Sequence, residues 1–157
     1  MPDQKPPKLD GGERETLQTL LQYQRESLVR KVTGIDDAAA RETSVGSGTN
    51  LLWLTKHMAR AESLWVLHRF AGEAAELPDE SVYPDDTMAG AIEVYRATWV
   101  LVDDVVANAS LDDRCRAGGD EMPVNLRWIL AHLLEETARH AGHADILREL
   151  IDEVTGR

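Results

Sequence analysis

Five histidines (His57, His68, His132, His140 and His143) and one glutamate, Glu136, are the residues of this sequence whose types and spacing could do chemistry. Glu136 and His140 are four residues apart, which on a helix stacks them on one face. His143 follows three residues later and falls near the same meridian. Leu126, Ile129, Leu133 and Leu147 share that face, so the spacing predicts that it points inward. A carboxylate on an inward stripe is costly unless it is paired, protonated or bound to a metal. Two imidazoles beside it favour metal chemistry.

A catalytic ion takes three protein ligands from more than one element and keeps a position open. The segment LLWLTKHMARAESLWVLHRF offers His57 or His68 as the ligand from a second helix. Eleven residues separate them, about 16 Å along a helix, so they cannot serve one ion together. His57, between Leu54 and Ala61, suits an inward position, whereas His68 and His132 read as edge residues. From the last helix, either Glu136 with His140 or His140 with His143 could complete the set. Glu136 is preferred, because nothing else places it on the inner stripe, and His143 then becomes a neighbouring polar residue that could contact a ligand. The spacing Glu136–His140 is that of the two metal ligands in a His-x-x-x-His helix.

Four amphipathic segments must position these groups. Leu17, Leu20, Leu21, Gln24, Leu28 and Val32 mark a helix over 13–32; Asp10 and Glu13 resemble a capping box before it, and Gly34 suits its left-handed end. Leu51, Leu54, Met58, Ala61 and Trp65 mark a second over 51–70, after a polar connector whose Asp-Asp-Ala-Ala-Ala core could form a turn of helix. Met88, Ile92, Tyr95, Trp99, Val102 and Val106 mark a third, starting near Thr87. The fourth follows Asn108–Met122, a loop holding Gly118 and Gly119. Pro123 is expected in its first turn, and its end is expected near Gly156. No strand run appears, so the expected fold is all-α, a four-helix bundle. The connector between helices two and three is long enough to cross a helix, which makes a parallel pair reachable. Residues 1–12, rich in Pro and Gly, are expected to form a flexible lead-in to one domain over 13–157.

Composition narrows the function. Among 157 residues, 17 basic against 28 acidic residues give a net charge of −11, which disfavours nucleic acid or an anionic membrane as partner. The apolar share of 43% and charged share of 29% are those of a globular chain. One cysteine, Cys115, excludes an internal disulfide or a Cys-rich zinc site and suits a reducing cytoplasm. No run approaches a membrane span, and MPDQKPPKLDGGE has no apolar run behind its lysines, so no secretory signal is expected. Trp53, Trp65, Trp99 and Trp128 read as packing anchors. The acidic runs AELPDESVYPDD and IDDAAARE read as solvated connectors.

SGTNLLWLTKHMARAESLW, followed by LRWILAHLLEETARHAGHADILREL, resembles the DinB-like superfamily of metal-binding four-helix bundles. More narrowly it is similar to the branch containing mycothiol-dependent S-transferases and maleylpyruvate isomerase. Many members carry His-x-x-x-His in the last helix; here Glu136 takes the first of those places, as in that branch. The resemblance implies His57, Glu136 and His140 as ligands of one divalent ion, zinc foremost, with nickel or iron as alternatives. It further implies a low-molecular-weight thiol such as mycothiol as co-substrate, an electrophilic small molecule as acceptor, and a cytoplasmic protein. His143 or Arg139 could assist substrate binding. Bundles of this superfamily often pair, so a homodimer is among the expected assemblies. The alternative is a metal-binding stress or scaffold protein without turnover.

Overall fold

The computed structural model describes residues 4–43, 45–74, 76–116 and 122–155. Among the described residues there are five α-helices: α1 (Glu13–Val32), α2 (Asp37–Arg41), α3 (Leu51–Glu62), α4 (Met88–Ala107) and α5 (Leu126–Asp152). α3 runs on as a π-helix, Ser63–Phe70, whose wider turn ends in an i→i+5 bond from Ala71 N–H to the Val66 carbonyl. Among the described residues there is no strand beyond an isolated bridge between Arg114 and Asn125. Among them, too, no helix is long and apolar enough to cross a membrane.

Side-chain contacts fix the topology. Arg127 Nε lies 2.6 Å from Glu13 Oε1, and Lys31 pairs with Asp145, so α1 and α5 run parallel. Thr55 meets Met88 and Tyr95 meets Glu62, so α3 and α4 also run parallel. His57 faces Glu136 while Trp65 faces Trp128, which makes α3 and α5 antiparallel. The result is an up-down-down-up bundle. The parallel pair that the long connector permitted is present, and residues 71–87 make the return crossing.

Polar side chains pin that crossing onto α3. Lys56 bonds the Ser81 carbonyl and Asp86, His57 donates to Glu80, and Arg60 donates to the Pro78 carbonyl. AELPDESVYPDD is therefore not simply a solvated connector. Nor is IDDAAARE: Asp36 caps α2, and Asp37 Oδ1 accepts from Met88 N–H at 2.8 Å, tying α2 to the start of α4.

Two other local expectations fail. The N-cap of α1 is Gly12 and no side chain caps it, so the Asp10–Glu13 box does not form. Pro123 precedes α5 rather than entering it, because Asn125 takes the cap and accepts from Trp128 N–H at 3.0 Å. Gly34 does adopt the left-handed φ of 77° expected after α1. α5 ends at Asp152; Gly118, Gly119 and Gly156 lie outside the described residues.

The core has two apolar halves. Leu28, Leu54, Met58 and Trp99 anchor one; Leu21, Val66, Ile129 and Leu133 anchor the other. Each fully buried leucine contributes about 1.5–3 kcal/mol. Between the halves lies a polar layer with no exposure to speak of: Arg25 is 1% and Glu62 0% exposed. Arg25 Nε and Nη2 donate to the two Glu62 oxygens at 3.0 and 2.5 Å, and Tyr95 donates to Glu62 Oε1 at 3.1 Å. Arg25 Nη1 also reaches Asp103 at 2.9 Å. Burial opposes the Arg25 charge, but the Glu62 and Asp103 carboxylates outweigh it and hold the guanidinium firmly protonated. Burial and the Glu62 charge together push the Tyr95 hydroxyl up, keeping it a donor.

Candidate metal centre

The antiparallel packing of α3 on α5 brings His57, Glu136 and His140 together. One ligand atom from each lies within 4.8 Å of the others. Glu136 Oε1 sits 3.1 Å from His140 Nε2 and 3.6 Å from His57 Nε2. The three side chains are only partly exposed, at 24%, 16% and 11% for His57, Glu136 and His140. His143 is exposed at the rim, with its Nδ1 3.4 Å from His140 Nδ1. Arg139 faces away and takes Glu136 Oε2 at 3.1 Å, which leaves Oε1 turned to the histidines.

Local structure accounts for this placement. Asn50 caps α3 by accepting from Trp53 N–H at 2.8 Å, and Leu51, Leu54 and Met58 bury, so His57 falls on the flank facing α5. The Trp53 indole stacks on the His57 ring at 4.7 Å and 15°. On α5 the buried line runs through Leu133, Thr137, His140 and Ala144, which sets Glu136 at its edge.

Glu80 was not foreseen. His57 Nδ1 donates to Glu80 Oε2 at 2.8 Å, which commits the proton to Nδ1 and turns the Nε2 lone pair toward Glu136. The sequence held no local signal for this contact, because the partners are 23 positions apart and Glu80 lies in an acidic loop. Of the remaining histidines, His132 stacks on Trp128 at 4.9 Å and meets Trp65 edge-on, and His68 is half-buried at the end of the π-helix. Cys115 packs into the other half of the core, beside the start of α5. His140 is fourteen residues further along α5, about 21 Å.

The donor set fits a divalent ion. Two ligands about 2.0–2.1 Å from a tetrahedral ion stand ~3.3 Å apart, and the observed pairs at 3.1 and 3.6 Å bracket that spacing. Burial favours the neutral His140 imidazole and outweighs the opposing pull of Glu136, so its pKa lies below the ordinary histidine value. That is the form a metal requires. Burial pushes the Glu136 carboxyl up, yet His140, Arg139 and His57 together bring it below the usual range, so it is ionised near neutral pH.

Replacing Glu80 with alanine is expected to weaken divalent-metal affinity about 10–100-fold, the usual cost of removing the carboxylate behind a ligating histidine. Competition against a chromophoric chelator reads this directly; an unchanged affinity would show that Glu80 does not orient His57.

Comparison with known proteins agrees with the architecture. The crystal structure of the conserved protein of locus from Enterococcus faecalis superposes with a TM-score of 0.66 at 17% identity, covering 89% of this chain and 97% of that one. That likeness supports the all-α bundle fold. No curated protein matches the chain. The family model described as mycothiol-S-transferase matches residues 16–153, nearly the whole chain and both helices that carry the cluster. This chain belongs to the mycothiol-S-transferase family.

Proposed function

We propose that this chain transfers a low-molecular-weight thiol of the mycothiol type to a small electrophile at a divalent ion, zinc foremost, held by His57, Glu136 and His140. The observation that carries the reading is the convergence of their three ligand atoms from two antiparallel helices within 4.8 Å. When bound, such an ion lowers the pKa of a thiol and so supplies thiolate near neutral pH. The chain's own residues prepare for this. Glu80 aims His57, Arg139 holds Glu136 with one oxygen inward, and the buried setting of His140 keeps it neutral. Three protein donors are the number at catalytic zinc sites, which keep a position for substrate. Two neutral imidazoles and one carboxylate leave a divalent charge partly uncompensated, which favours an anionic sulfur.

Cys115, at the far end of α5, is not needed as a nucleophile, because the co-substrate brings the sulfur. The thiolate forms its S–C bond as the electrophile's leaving group departs with the bonding pair, and the thiol proton passes to solvent. The acidic charge weighs against nucleic-acid or anionic-membrane partners, and the single cysteine suits a cytoplasmic setting.

The experiment is elemental analysis of protein purified without added metal, followed by acceptor assays with mycothiol, bacillithiol and glutathione. One tightly bound divalent ion per chain and metal-dependent transfer are expected. A bound ion with no transfer from any of these thiols would instead favour the non-catalytic metal-binding alternative.

A further inference from the structure

Beside the metal cluster, the turn preceding α3 and the later turns of α5 border a half-open cavity of about 210 Å³ lined by Val45, Ser47, Thr49, His143, Ile146 and Leu147. Val45, Ile146 and Leu147 make most of its wall surface apolar. The Ser47 and Thr49 hydroxyls bond each other at 2.9 Å, so each already has a partner. Among the described residues, no carboxylate, ammonium or guanidinium lines it. His143 belongs both to this cavity and to the cluster, since its Nδ1 lies 3.4 Å from His140 Nδ1 and the two rings are 5.4 Å apart. The cavity is therefore one imidazole away from the donor atoms.

We propose that this cavity receives the body of the electrophile, and that the acceptor is a neutral, apolar molecule with about one ring's worth of bulk. Size and lining decide this. A dry apolar cavity of about 150 Å³ accommodates one benzene ring, so 210 Å³ accommodates a ring with a short substituent. A charged acceptor would lose part of its hydration there and gain no compensating charge from the described lining residues. The hydroxyl-rich carrier of a sugar-bearing thiol is both too large and too polar, which leaves the cavity to the acceptor. The inference rests on the transferase reading above and names its substrate class.

Two bromoacetamides that differ only in bulk test it: 2-bromoacetamide and N-benzyl-2-bromoacetamide, with mycothiol and the zinc-loaded protein. In each reaction the S–C bond forms, the C–Br bond breaks, bromide leaves with the bonding pair and the thiol proton goes to buffer. A Cys115→Ser background confines alkylation to the free thiol. Ile146 is 56% exposed at the mouth of the cavity, so Ile146→Trp is tolerated by the fold while filling the space. The substitution is expected to lower kcat/KM for the benzyl compound, relative to that for the small compound, about tenfold or more. An equal loss for both compounds, or no loss for the benzyl one, overturns the assignment.

Binding of the unreactive N-benzylacetamide, followed through the backbone amide resonances of Thr49, Ile146 and Leu147, separates the two claims. Shifts that vanish in Ile146→Trp support the cavity even if no thiol is transferred, in which case only the transferase reading fails. Transfer without any shift at those amides overturns the cavity assignment and leaves the transferase reading standing.

Discussion

His140→Ala is expected to lose zinc affinity by about 10²–10³-fold while keeping the fold. Structural zinc sites with four ligands bind with about 10–16 kcal/mol, or about 2.5–4 kcal/mol per ligand, and His140 is one of three. Its side chain is largely buried, so the change also opens a small cavity, but Leu133, Ala141, Ala144 and Leu147 around it keep their apolar partners. The measurement is zinc affinity by chelator competition, with circular dichroism to confirm helicity. A second variant, His143→Ala, removes a rim residue and is expected to cost far less affinity. If the two variants lose affinity equally, the pair His140 and His143 becomes the better description of the α5 ligands.

The largest stability effect is expected at the other end of the charge scale. Arg25→Met leaves the Glu62 carboxylate buried with Tyr95 as its one remaining donor among the described residues. Stranding one member of a buried ion pair costs about 3–5 kcal/mol, which for a chain of this length lowers Tm by roughly 6–20 °C. The double substitution Arg25→Met with Glu62→Leu removes both charges and is expected to recover most of that loss. Urea titrations of the single and double variants measure it. A single variant within about 1 kcal/mol of the parent would show that water reaches Glu62.

The four long helices were legible because their apolar residues recur at three and four steps, and the length of the 71–87 crossing correctly allowed α3 and α4 to lie parallel. The inner face of α5 was legible for the same reason: Leu126, Ile129, Leu133 and Leu147 all bury. What the sequence hid was non-local or off the ordinary period. The π-helix after Glu62 leaves Trp65 only partly buried and brings Val66 inward, and a period of 3.6 cannot anticipate this. Glu62 reads as a surface charge in ARAES until Arg25, 37 residues earlier, is seen against it. Glu80 reads as loop acidity until His57 claims it. In both cases the partner is chosen by tertiary packing, and nothing within a helical turn of either glutamate announces it. The terminal signals failed more locally: Gly12 and Asn125, not Asp10 and Pro123, begin α1 and α5.

Anomalous diffraction at the zinc edge, from crystals of the zinc-loaded protein, puts the central claim to the most direct trial. The expected result is one strong peak per chain, about 2.0–2.2 Å from His57 Nε2, Glu136 Oε1 and His140 Nε2. A peak coordinated by other side chains, or none at full zinc loading, would contradict it.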